Sequence, residues 1–153
     1  MNEVRGFMAY STKEDLIAAS SERDIIQLSD DARAKVIDEG VVTEAISKAD
    51  AIIDSYIGGR YRVPLTEVPR IIGDISAQLA IYFLYERRHR ANMPASIMEI
   101  YKNLIARLKD IHEGRISLPI AEIGGGSEQG NGPTKCNKSK KDRLFPWSTL
   151  KKW

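Results

Sequence analysis

The sequence predicts a mainly α fold: a small helical bundle of about four or five helices with a long extended C-terminal arm. Three observations carry this. Apolar residues recur at three- and four-residue spacing over three long stretches. Glycines and prolines punctuate the chain between them. Beyond Gly124 the periodicity stops, and a glycine-rich stretch leads into a basic and aromatic end.

The elements follow in order. Ser11-Thr12-Lys13-Glu14 has the pattern of a capping box, a hydroxyl three residues before a carboxylate, and predicts a short helix through Ala19. Ser21-Glu22-Arg23-Asp24 repeats the signal and predicts a second short helix to about Leu28, with Ser29-Asp30-Asp31 as a turn or a further cap. Val42, Ala45, Ile46, Ala49, Ile52, Ile53, Tyr56 and Ile57 form the stripe of a first long helix, with Glu44, Lys48 and Asp54 off it. Gly58-Gly59 should end that helix through a left-handed cap. Pro64 and Pro69 predict an extended loop over 60–68.

Pro69 suits the first turn of a second long helix reaching about Arg90. Apolar residues cover most of its circumference from Leu79 to Tyr85, so it should be the central, most buried helix. Arg87, Arg88, His89 and Arg90 place positive charge where the helix dipole favours it. After a turn at Asn92 to Pro94, Ile97, Ile100, Tyr101, Leu104, Leu108 and Ile111 mark a third long helix that stops at Gly114. The stretch 116–120 reads as a brief strand or extended strap. The chain therefore divides into an N-terminal segment (1–9), a helical domain (10–120), a glycine-rich linker (121–137) and a basic, aromatic arm (138–153).

At 153 residues there is room for one domain with a hydrophobic core. No run approaches the length of a membrane span, and Met1 to Tyr10 does not read as a secretion signal. Cys136 is the lone cysteine, which excludes an internal disulfide and suits a reducing compartment. The net charge of +2 hides a split. Residues 1–126 carry 16 basic and 19 acidic side chains, a net −3, while 127–153 carry 7 basic against Glu128 and Asp142, a net +5. A mildly acidic body with a basic tail suggests an arm that seeks an acidic surface, protein or nucleic acid.

Catalytic chemistry finds little support. His89 and His112 sit at predicted helix ends without a cysteine or second histidine at metal-ligand spacing. Glu14/Asp15 and Asp30/Asp31 fall at predicted helix starts, and Asp50 and Asp54 read as one solvated helix face. The glycines from Gly124 lack the Gly-Lys-Ser/Thr of a phosphate loop and read as a linker. The expectation is a protein that is not an enzyme and uses no cofactor or metal. The alternative is a small helical DNA-binding protein using its basic tail, with Arg87, Arg88 and Arg90 as a second cluster. The arm itself points to protein recognition, with packing back on the chain's own body as the alternative. Phe145, Trp147, Leu150 and Trp153 are the residue types that anchor in a partner's pockets, Leu144 lies beside them, and Lys140, Lys141 and Arg143 would steer the approach.

Several strings carry a resemblance. Tyr10-Ser11-Thr12-Lys13-Glu14-Asp15-Leu16, Asp50 through Tyr61 (DAIIDSYIGGRY), Pro64-Leu65, Gly114-Arg115-Ile116-Ser117-Leu118, Asp142-Arg143-Leu144-Phe145 and Ser148-Thr149-Leu150-Lys151 resemble a family of Mu-like phage and prophage structural proteins. The resemblance implies a head–tail connector, or adaptor, that docks below the portal as a ring of twelvefold symmetry. It implies helical bodies with arms reaching neighbouring copies or the portal, a role in retaining packaged DNA, and a platform for a tail-side connector or tail terminator protein. It places the protein in the virion at the head–tail interface, and in the host bacterial cytoplasm during assembly. Contact with DNA should be weak and non-specific, with no membrane partner. Arg143, Leu144, Phe145, Thr149 and Leu150 match the family's terminal arm, whereas Trp147 and Trp153 fall outside the matched positions.

Overall fold

The computed structural model describes residues 9–89 and 93–123, and within them the chain is mainly α. Five helices run in order: α1 Lys13–Ala19, α2 Glu22–Ser29, α3 Glu39–Ile57, α4 Arg70–His89 and α5 Ala95–His112. Among the described residues the only β pairing is an isolated antiparallel bridge between Tyr61 and Glu122.

The local signals act close to where the sequence places them, with instructive shifts. α1 does begin with a capping box, but one residue later than expected. Thr12 accepts from the Asp15 N–H, and the Asp15 carboxylate accepts from the Thr12 N–H at 2.7 Å. Ser11 is drawn away because its hydroxyl is buried against Ser76 on α4. Ser21 caps α2 through the Asp24 N–H, as its spacing predicts. Asp30 and Asp31 do not start a helix. They close α2, and Asp38 caps α3 by accepting from the N–H groups of Gly40 and Val41.

Gly58 ends α3 in right-handed geometry (φ −60°) rather than through the left-handed cap expected. Close approach explains its lack of a side chain, since a Cβ there would lie 2.9 Å from the Asp54 carbonyl oxygen. Gly114, by contrast, has φ +82° just after α5, the left-handed position that favours glycine.

α4 packs against all four other helices and is the central element, as its all-round apolar surface predicts. Ile72, Ile75, Leu79, Ala80 and Leu84 are essentially inaccessible to solvent. α3 supplies Val42, Ala45, Ile46, Ala49, Ile53 and Ile57 to the same core, α5 supplies Leu104, Leu108 and Ile111, and α1 and α2 cover it with Leu16, Ile25 and Leu28. Burying each such side chain contributes about 1.5–3 kcal/mol, which is what holds helices of this length together. The 116–120 stretch forms no strand. It is a strap whose Leu118 plugs into the core, and a backbone hydrogen bond from the Ile123 N–H to the Arg60 carbonyl follows it.

Candidate functional site

Four strings far apart in sequence meet at one place in the bundle. Asp50 projects from the middle of α3 into the interior and is only 2% exposed. One carboxylate oxygen accepts from the Tyr10 N–H at 3.0 Å and the other from the Ser76 hydroxyl at 2.6 Å. With its proton used on Asp50, Ser76 accepts from the Ser11 hydroxyl at 2.8 Å. The Tyr10 hydroxyl donates to Asp54 and accepts from the Leu65 N–H at 3.0 Å. The segment before α1, the middle of α3, the 60–68 loop and α4 are thereby tied together. Among the described residues no buried side-chain nitrogen or oxygen lacks a partner.

This corrects the reading of Asp50 and Asp54 as a solvated face. Asp50 stands four residues after Ile46 and three before Ile53, on the buried stripe itself. A carboxylate at a stripe position was the signal, and it was legible. Burial pushes the Asp50 carboxyl above its usual range, although Ser76 and the Tyr10 N–H act the other way. Burial, followed by the hydrogen bond to Asp54, also raises the Tyr10 phenol well above its ordinary value. Every acceptor direction used by Asp50 points to this chain's own groups, so the cluster is a lock rather than an acid–base pair open to substrate.

A second junction fixes the last of the described residues on the bundle. Arg60, just past α3, donates at 2.6 Å to the Ile111 carbonyl, which also accepts from the Gly114 N–H at the end of α5. It also forms an ion pair with Glu122. Tyr61, fully buried, accepts from the Leu118 N–H at 2.9 Å and donates to Glu122 at 3.3 Å. The Ile123 N–H closes the junction on the Arg60 carbonyl at 2.7 Å. A Cβ on Gly114 would lie 3.3 Å from the Arg60 guanidinium, so the Gly114–Leu118 string is fitted to the Arg60–Tyr61 string.

The two described arginines at the end of α4 make contacts within the chain. Arg87 and Arg88 both pair with Asp31, and Arg88 donates to the Asp30 carbonyl at 3.0 Å. Asp30 holds the following loop by accepting from the N–H groups of Ala34 and Lys35 at 3.0 and 2.6 Å. Burial acts to raise its carboxyl, but these and neighbouring backbone N–H groups outweigh it and hold the pKa below the usual value. His112 is cap-like, its Nδ1 donating to the Tyr56 carbonyl at 2.8 Å, and His89 lies beside Tyr85. Arg90 lies outside the described residues.

The bundle is unfinished where α5 begins. The α5 stripe is buried at Leu104, Leu108 and Ile111, but Ile100 is 41% exposed, its neighbour Met98 is 46% exposed, and Ile97 is half-buried. Ile97 and Ile100, together with Ala19, Gln78, Ile81, Tyr82 and Tyr85, leave a groove of about 280 Å³ on the surface. The Tyr82 ring on its floor stacks on Tyr101 with centroids 4.1 Å apart, a preformed aromatic platform. Periodicity treated the whole stripe as core and did not reveal this opening.

The site residues expected from the sequence, Lys140, Lys141, Arg143, Leu144, Phe145, Trp147, Leu150 and Trp153, lie outside the described residues, as does the linker from Gly124. Among the described residues, no group of three His, Cys, Asp or Glu side chains is placed to hold a metal ion, and no helix is long and apolar enough to cross a membrane.

Within the described residues the distinctive strings serve the internal joints of a helical body, and that architecture defines the class of protein. Comparison with known proteins gives that class a family. The family model described as Bacteriophage Mu, Gp36 matches residues 10–134. The chain is 33% identical over 123 residues to the Mu-like prophage FluMu protein gp36 of Haemophilus influenzae, covering 80% of this chain and 84% of that protein. It is 26% identical over 125 residues to Gene product J of Escherichia phage Mu, covering 80% and 85%. The chain is a member of the Mu Gp36 family of phage proteins.

Proposed function

We propose that this protein is a head–tail connector, or adaptor, that forms a ring below the portal, joins head to tail and helps retain packaged DNA. The observation that carries the reading is the family match over 10–134, whose relatives bear phage and prophage names. The body suits a ring wall, because its joints at Asp50 and Arg60 fix the helices against one another. In this reading the protein has no catalytic task and needs no cofactor. Its partners are the portal, neighbouring copies in a twelvefold ring, and a tail-side connector or tail terminator protein. It works in the virion at the head–tail interface after assembly in the host bacterial cytoplasm.

The arm is the fastener. Leu144, Phe145, Trp147, Leu150 and Trp153 anchor it on a partner, and Lys140, Lys141 and Arg143 steer it. Contact with DNA is weak, sequence-independent and lost as salt rises. Electron microscopy of the full-length protein mixed with portal-bearing heads should show a ring of added density below the portal. Heads that stay bare would sink the connector reading. A sequence-specific DNA complex that survives physiological salt would put the DNA-binding alternative in its place.

A further inference from the structure

Three neighbouring surface pockets, the second and third sharing lining residues, make up a discontinuous channel from the last described residues to the open groove beside Tyr82. It starts as a pocket of about 450 Å³ between residues 62–67 and 120–123. Tyr10, bonded to Leu65 of that pocket, opens the next one, about 580 Å³ between α1 and the first half of α4. Asp15 and Asp74 line this second stretch, with Arg70 nearer the exit. Ala19 and Gln78 are shared with the groove beyond, where Ile81, Tyr82, Tyr85, Ile97 and Ile100 take over. Outward from Ile123 the lining is first polar, with the carboxylates of Glu67, Glu122, Asp15 and Asp74 outnumbering Arg62 and Arg70, and then aromatic and aliphatic.

The chain that follows Ile123 has its chemistry in the matching order. Lys138, Lys140, Lys141 and Arg143 come first, and Leu144, Phe145, Trp147 and Leu150 come after. The spacings agree as well. Asp74 and Tyr82 are eight residues apart on α4, about 12 Å along the axis. Arg143 and Trp147, four residues apart in an extended segment, span about 13 Å.

We propose that in the free protein residues 138–150 lie in this channel of their own chain. The basic residues then sit beside Asp15 and Asp74, and Phe145 and Trp147 cover Tyr82, Tyr85, Ile97 and Ile100. Chain statistics decide between the chain's own arm and that of a second copy. The fourteen residues 124–137 form a glycine-rich linker with an average end-to-end distance of about 20 Å. Thr66 and Glu67, which line the pocket of Ile123, stand only three to four residues before Arg70 of the next pocket, so a linker of this length bridges the two with reach to spare. A short flexible linker that reaches its site gives an effective concentration in the millimolar range, well above that of a second copy in micromolar solution. On the connector reading, the free chain stores its fastener and covers its apolar groove, and a portal that gathers many copies lets arms exchange between neighbours.

Trp147 and Trp153 are the only tryptophans, so the intrinsic fluorescence of the full-length protein reports on the arm alone. A Trp153→Phe background isolates Trp147. Its emission should be blue-shifted, quenched several-fold less by acrylamide than a free tryptophan, and unchanged on dilution through the micromolar range. Ile100→Glu should abolish the protection. Val36→Glu, at a position 59% exposed elsewhere, should leave it intact. Circular dichroism establishes that both variants fold, since both positions are open to solvent. Solvent-like emission from the full chain would overturn the inference. So would protection that survives Ile100→Glu, which places the arm elsewhere. Protection that grows with concentration would assign the groove to a second copy's arm and overturn storage on the same chain. No arm of the experiment uses a portal, so its failure is separate from failure of the connector reading.

Discussion

The Asp50 cluster and the Tyr82 groove are built on opposite terms. At the first, a buried carboxylate, two serines, a tyrosine and a backbone N–H satisfy one another, and four chain segments are tied. At the second, two stacked tyrosines and half-exposed isoleucines face solvent with their apolar surface uncovered. Among the described residues, the strings that mark the family fall at the Asp50 cluster and at the Arg60 junction, whereas 97–100 lies outside them. The difference teaches that the recognisable motifs specify how the body is held, while the uncovered apolar surface marks where it has something left to bind.

If the Asp50 cluster is a lock, breaking it should cost most. Asp50→Ala leaves the Tyr10 N–H and the Ser76 hydroxyl without their acceptor and should destabilise the fold by about 3 kcal/mol. In urea this appears as a lower midpoint with an unchanged slope. A loss within error of zero would show that water replaces the carboxylate and that no lock exists.

The charge on Asp50 sharpens the point. Its folded pKa is raised above the ordinary 3.8, so its protonated form is the better folded one. The contribution is fully present below that ordinary value and is lost as pH rises through the raised one. Asp50→Asn removes the titration while keeping one acceptor oxygen. The stability of the natural chain relative to Asp50→Asn should therefore decline from pH 3.8 toward neutrality. A difference constant with pH would show that Asp50 is not desolvated in solution.

Tyr61→Phe should be milder, about 1–2 kcal/mol, because it removes only the hydroxyl that accepts from Leu118 and donates to Glu122. Hydrogen exchange should show the Leu118 amide losing protection ahead of the α4 amides. Uniform loss would mean that the strap belongs to the global unfolding unit. Ile100→Glu, at the unfinished groove, should cost the fold of the body least, because the body itself leaves this side chain 41% exposed. A loss comparable with that of Asp50→Ala would erase the contrast between the two regions.

Local signals were well expressed in the chain where neighbours decide little. Ser21 caps α2, Gly114 stops α5, and the apolar positions of α3 and α4 face the core. The misreadings share one cause. Ser11 looked like the cap, Asp50 looked solvated and Gly58 looked left-handed, because each position answers to a residue distant in sequence or to a close backbone approach. The pairing of Arg87 and Arg88 was illegible for the same reason, their partner Asp31 lying more than fifty residues earlier.

By itself the sequence determined the helices, their order and the dominance of α4, because periodicity and caps act within a few turns of one chain. It also determined the split between an acidic body and a basic, aromatic arm, since charge and composition add up without reference to shape. Only the tertiary structure decided which face of α5 stays open, that Asp50 is buried, and that Arg60 holds the last of the described residues. Those outcomes depend on which helix lies beside which. An apolar stripe says that a surface seeks cover, but whether its own bundle supplies that cover is settled by packing alone.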